Sequence, residues 1–477
     1  ILGFETSKSY RLQNCEYSHM ERSSSAQVKD VDNISKLPND VLLLILSRLS
    51  TEEAIRTSVV SKRWEHVWKQ LSHLVFDIPR IINSTELRDS LNRVDILITK
   101  VINNHRGHLE SCVINHFPYH GVTGILNTWI QSVTCVKHTK VLTLTNDFLC
   151  QNPTNKIFDI PTNSFSHPSL TSLSLSSYIL RSSHPLINCS NLKTLKLVLI
   201  TAPEVGVFNR VLTSCPSLEV LVLDIVCVDN KSGVPLKIEN NTLKVLHVQA
   251  MHYIDGIQVS ATSLDILIIE DASFGRDGFF LRSPKLQFDR NFWAPGRFVP
   301  HMSYNISKEE NSIVHEEFMN NIPRPFFRSV AIMAASMSVS VDLRNQTQVE
   351  RLRQVLRLWT RKMMGLEIIF KKDYNDATTT EENSESWHKK FWKDNINKDA
   401  FPSAKFRVKT VWMNNFSGSE EEFAFASCLI KQGTVVDKMM IKTSSLPARK
   451  KLEIEAAVVK LEALQTEDER ELTIHCF

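Results

Sequence analysis

The sequence predicts an α+β protein in three structured parts: a three-helix N-terminal module, a central α/β solenoid and a small C-terminal α+β domain. Three observations predict it. An apolar stripe at helical spacing runs through residues 31–78, and a leucine phrase recurs at a near-constant interval between Leu170 and Ile269. Strand-like and helix-like segments then alternate after residue 403.

Residues 1–30 are polar and Ser-rich and read as disordered. The chain opens with Ile, which reads as a fragment or a shifted start, with Met20 as an internal candidate. A first helix is expected from about Pro38 to Leu49. Proline sits in its first turn, where a missing N–H costs nothing, and Asp40 favours the positive helix end. Val41, Leu42, Ile45, Leu46 and Leu49 form a stripe wider than one small helix can bury alone. Ser50 with Glu53 is a capping box that opens a second helix through Val59. Ser61 caps a third, with Trp64, Val67, Trp68 and Leu71 on one side.

The Leu37-Pro38 opening, the Ile45-Leu46-Ser47 helix, the Arg56-Thr57-Ser58-Val59 run and the Ser61-Lys62-Arg63-Trp64 ending with Trp68 resemble an F-box, in the family's order. That resemblance implies a docking module for a small Skp-type adaptor protein, and through it a cullin. The implied adaptor-binding residues are Leu37, Pro38, Val41, Leu42, Ile45, Leu46, Val60, Trp64 and Trp68. The competing reading is an ordinary helical hairpin whose stripe is its own core.

After a connecting stretch, L-x-x-L-x-L recurs as Leu170/Leu173/Leu175, Leu192/Leu195/Leu197, Leu218/Leu221/Leu223, Leu243/Leu246/Val248 and Leu264/Leu267/Ile269. Successive offsets of 22, 26, 25 and 21 residues lie inside the roughly 20–29-residue period of leucine-rich repeats. The reading is therefore a leucine-rich-repeat horseshoe over 79–300, each repeat giving one strand whose leucines point inward and are buried by stacking. The competing reading is a series of strands in some other sheet. The third and fifth phrase positions face the other way and turn apolar toward the end: Val220, Val222, Val245, His247, Ile266 and Ile268. These are candidate target-binding residues, unless the 300–477 region folds back to cover Val220, Val245 and Ile266.

Residues 301–402 read as irregular, with a helix at Gln346–Leu358 and an exposed polar loop at Lys371–Asp399. Beyond them come a strand at Arg407–Asn414, a helix at Glu420–Lys431, a strand at Thr434–Lys442, a helix at Ala448–Leu464 and a strand at Leu472–Phe477. Residues 408–418, the Glu420–Glu422 run, 435–442 and the terminal ELTIHCF are similar to the FBD module that follows leucine-rich repeats in many plant F-box proteins.

Catalytic signatures are missing from the sequence. There is no Gly-rich phosphate loop, no G-x-S-x-G elbow and no zinc-like Cys/His spacing, so no catalytic, cofactor or metal residue is assigned. His105, His108, His116 and His120 read as solvent-facing loop residues. Nine scattered cysteines suit a reducing compartment. A net charge of +4 without a basic stripe argues against nucleic acid, and no apolar run is long enough for a membrane span. The expectation is a non-catalytic substrate-recognition subunit of a Skp–cullin–F-box ubiquitin ligase, in nucleus or cytoplasm, holding an unknown protein target. Alternatives are a repeat scaffold outside any ligase and a small-molecule sensor.

Overall fold

Each leucine phrase becomes one strand of a single long sheet. A computed structural model describes residues 36–59, 63–81, 87–146, 158–161, 165–228, 234–252, 254, 256–270, 278–286, 301–307, 336–359, 362–371, 391, 401–403, 405–442, 448–464 and 472–477. The expected disordered 1–30 segment, Val60, Ser61 and nearly all of the expected 371–399 loop lie outside these residues.

The strands in chain order are β1 (His73–Asp77), β2 (Ser111–His116), β3 (Val141–Asn146), β4 (Phe158–Asp159), β5 (Ser172–Ser176), β6 (Tyr178–Ile179) and β7 (Thr194–Ala202). Then follow β8 (Val220–Cys227), β9 (Leu236–Glu239), β10 (Val245–His252), β11 (Ile257–Ser260), β12 (Ile266–Glu270) and β13 (Phe279–Arg282). The series ends with β14 (His301–Asn305), β15 (Ser336–Val341), β16 (Met363–Phe370), β17 (Val408–Asn414), β18 (Val435–Lys442) and β19 (Thr473–Cys476). The main path is β1-β2-β3-β5-β7-β8-β10-β12-β14-β15-β16-β17-β18-β19, with β9, β11 and β13 forming a small separate sheet.

Strands β1 to β12 of the main path pair in parallel. Their leucines line one face, in register: Leu142, Leu173, Leu195, Leu221, Leu246 and Leu267. All are buried in a first core that also takes Leu170, Leu192, Leu218, Leu243 and Leu264. Burying each such side chain contributes about 1.5–3 kcal/mol, and stacking is the only way a single strand can achieve it.

Strand direction reverses once. β12 and β14 pair antiparallel, Ile266 opposite Tyr304 and Ile269 opposite His301, after which β14 to β19 run parallel to one another. The sheet keeps adding strands in the same lateral order. Parallel crossovers are overwhelmingly right-handed, so reversing the strands moves their connecting helices to the opposite face. The helices Gln346–Arg357, Glu420–Lys431 and Ala448–Glu462 accordingly supply Val349, Leu352, Val355, Phe425, Leu429, Ile454 and Leu461 to a second core. That core also contains Val220, Val245, Ile266 and Ile268 from the non-leucine face of the repeats.

The interval 301–402, expected to be irregular, thus contributes β14, β15, a helix and β16 to the sheet. The segments after 403 adopt the expected elements within a residue or two, and β17 pairs directly with β16, so the sheet crosses residue 403 without a break.

The N-terminal helices are tied to the first repeat. The Val75 N–H donates to Thr51 Oγ1 at 2.7 Å, covering the outer edge of β1. The Arg106 and Gly107 amides both donate to the Lys69 carbonyl, and His105 Nε2–H donates to the Leu71 carbonyl at 2.7 Å. A Cβ on Gly107 would lie 2.7 Å from Gln70 Cα, so the two backbones approach as only glycine permits. Gly107→Val is therefore expected to lower stability by about 1–3 kcal/mol. It should also expose the 104–111 segment to limited proteolysis; unchanged melting and cleavage would show that this junction carries no load.

Candidate protein-docking surfaces

Helix Asn39–Leu46 begins after Pro38, and the Ser50–Glu53 capping box forms as the spacing requires. Helix Thr51–Arg56 runs into a 3-10 turn at Thr57–Val59, and Trp64–Val67 into another at Trp68–Gln70. Arg63 closes the module. Its guanidinium donates to Asn39 Oδ1 at 2.7 Å and to the Leu37 carbonyl at 2.5 Å, clamping the third helix onto the start of the first.

Leu42, Leu46, Ala54, Trp64, Val67, Trp68 and Leu71 form the module's own small core. This corrects the expected docking set: Leu42, Leu46, Trp64 and Trp68 are buried and hold the module together. A helix's strongest apolar stripe faces its own neighbours first, and so little core leaves none to spare. Of the remainder, Pro38, Val41 and Ile45 are exposed, Leu37 is half-buried and Val60 lies outside the described residues. Leu44 at 62% exposure and Val59 at 90% join them, with Leu49 also exposed. Sequence reasoning passed over Leu44 and Val59 as docking residues because neither continues the stripe.

One cross-strand row crosses the opposite face of the repeats: Val75, Val113, Thr143, Ser174, Lys196, Val222, His247 and Ile268. Val75 is 45% exposed, Val113 to Val222 are half-buried, and His247 and Ile268 are buried. Five of the six candidate target-binding residues, Val220, Val245, His247, Ile266 and Ile268, are therefore sealed inside, and Val222 packs at the margin of the second core. Sealed side chains cannot meet a separate protein. The open part of this face lies at the other end, on β1 to β7, and carries hydroxyls at Ser111, Thr143, Ser172, Ser174 and Thr194.

Three of the four histidines are placed differently from expectation, while His108 is exposed as expected. His105, His116 and His120 are buried, because His116 continues the inward alternation of Cys112 and Ile114 and His120 lies in the helix that follows. The Tyr178 hydroxyl donates to His116 Nε2 at 2.5 Å, and His120 Nε2 lies 3.0 Å from Asp95 Oδ1. Burial pushes His116 down to about 4 and His301 to about 3, and it also lowers His105 and His120. The His116 ring stays neutral in the folded chain but takes a proton when it unfolds, so its contribution is lost as pH falls from about 6.5 toward 4. Over that window the wild type is expected to lose roughly 3 kcal/mol that His116→Gln does not, read from urea midpoints. Parallel pH profiles for the two proteins would refute this.

Among the described residues, no helix is long and apolar enough to cross a membrane, and no group of three His, Cys, Asp or Glu side chains is set to hold a metal.

The family description "F-box domain" matches residues 34–76, and "FBD-associated F-box protein At5g56370, LRR repeats" matches residues 126–358. The chain is similar to three proteins of Arabidopsis thaliana along nearly its whole length. "F-box protein At1g80960" is 64% identical, covering 95% of this chain and 91% of that protein. "Putative F-box protein At1g67390" is 43% identical over 96% and 95% of the two chains. "F-box protein At3g60790" is 42% identical over 94% and 90%.

Proposed function

Because this chain belongs to the F-box proteins that carry leucine-rich repeats, we propose that it is the target-receptor subunit of a Skp–cullin–F-box ubiquitin ligase. The observation that carries the reading is the apolar surface of Val41, Leu44, Ile45, Leu49 and Val59, left exposed outside the helical module's core. Exposed apolar side chains gathered on so small a module are a protein-docking feature, and aliphatic burial drives such contacts.

The mechanism is tethering. An adaptor seated on the helices links the chain to a cullin, while the open face of β1 to β7 holds the target. Transfer then proceeds at the effective concentration of a linked pair, without a covalent intermediate on this chain. The backbone bonds from Arg106 and Gly107 to Lys69 fix the angle between the two surfaces. Co-expression with a Skp-type adaptor and a cullin tests the proposal. Recovery of all three in one complex is the expected result. A folded chain that recovers no adaptor would favour a repeat scaffold outside any ligase.

A further inference from the structure

Helix Ala448–Glu462 carries two apolar stripes on opposite sides. Ile454, Val458 and Leu461 face the sheet and are buried in the second core. Leu452, Ala456 and Val459 point the other way and are exposed, Leu452 at 67% and Val459 at 63%. Ala463 continues this stripe in the turn that follows, its N–H still bonded to the Val459 carbonyl four residues back. The outer stripe therefore steps by four, three and four residues, the spacing of a coiled-coil seam. A helix that only had to cover the sheet would be polar on that side.

We propose that this seam pairs with the same helix of a second copy of the chain, the two helices lying parallel about a twofold axis. Charge selects both the occupant and its direction. Glu455 flanks the seam on one side and Lys460 on the other, and both are exposed. In a parallel pair, a flanking residue meets the one five positions further along on the partner helix. Glu455 therefore faces Lys460 of the second copy, twice by symmetry. An antiparallel pair would set Glu455 against Glu462, like charge against like. Each copy's sheet lies behind its own helix, on the side away from the seam, and leaves the approach open. The helix is already folded on that sheet, so association does not have to order it. Two heptads bury little area, so the pairing is a reversible one. A pair carries two β1 to β7 faces, and a target with two binding segments is then held at the effective concentration of a linked site. That last consequence rests on the proposed target face; the pairing does not.

Sedimentation equilibrium of the full chain tests the pairing. A reversible monomer–dimer equilibrium is expected, weakened roughly tenfold or more by Leu452→Gln with Val459→Gln. Both side chains are exposed, so this change opens no cavity in the core. Lys460→Glu alone is expected to weaken the dimer roughly tenfold, and adding Glu455→Lys to restore it to within about threefold. Adding Glu453→Lys instead should restore nothing, because Glu453 and Lys460 meet only in the antiparallel arrangement. A chain that stays monomeric up to its solubility limit, or a dimer indifferent to all of these substitutions, would overturn the proposal. Rescue by Glu453→Lys rather than by Glu455→Lys would overturn the parallel pairing.

Discussion

Lysine at both Leu44 and Ile45 is expected to abolish adaptor recovery while the rest of the chain stays folded. Both side chains point away from the module's core, at 62% and 39% exposure, so removing them opens no cavity. Lysine matches leucine closely in helix propensity, so Asn39–Leu46 should persist. An anchor at the centre of an interface typically accounts for about 2 kcal/mol or more, and two together correspond to a roughly thousandfold loss of affinity. Pull-down with purified adaptor and an unchanged thermal transition would check it. Retained binding would remove the basis for placing the adaptor on this surface. Leu42→Ala is the contrasting case: it should weaken binding only by loosening the module.

Ile266→Lys is expected to yield insoluble or heat-labile protein. Ile266 is paired with Val245 on one side and Tyr304 on the other, all sealed in the second core. An unpaired ammonium there costs several kcal/mol, a large part of the 5–15 kcal/mol by which a domain is stable. Ser174→Lys lies on the same face at its open end and should shift stability by no more than about 0.5 kcal/mol. Expression, solubility and thermal unfolding of the two variants decide the matter. A soluble Ile266→Lys protein with an unchanged transition would mean that the face is open after all.

The leucine ladder was legible because two independent rhythms agree in it: alternation within each strand, and a spacing of 21 to 26 residues between phrases. The helix Glu420–Lys431 was legible to the residue, since three glutamates open it and Lys431 closes it. The side on which the second half buries its apolar residues was not. It depends on the direction of β14, which no local pattern encodes, and alternation in β17 or β18 looks the same whether a strand extends an old sheet or starts a new one. Apolar residues at Val220, Val245 and Ile266 were the visible trace of that reversal, and they supported both a covered face and a binding face. At the docking module the same pattern misdirected the assignment. Leu42 and Leu46 carry the strongest periodic signal because they are core, whereas Leu44 and Val59 stand outside the period and stay exposed.

The change of strand direction between β12 and β14 also limits how such a chain can vary in length. Between Ser111 and Ala202 each strand serves only the first core, so a whole repeat could be gained or lost there and the flanking leucines would simply restack. From Val220 to Glu270 the main-sheet strands β8, β10 and β12 each belong to both cores, and deleting one would break two seams at once. Repeat number is therefore free to drift on the side near the helical module and locked in the middle, and the distance from that module to the doubly buried strands is set by the part of the ladder that can change.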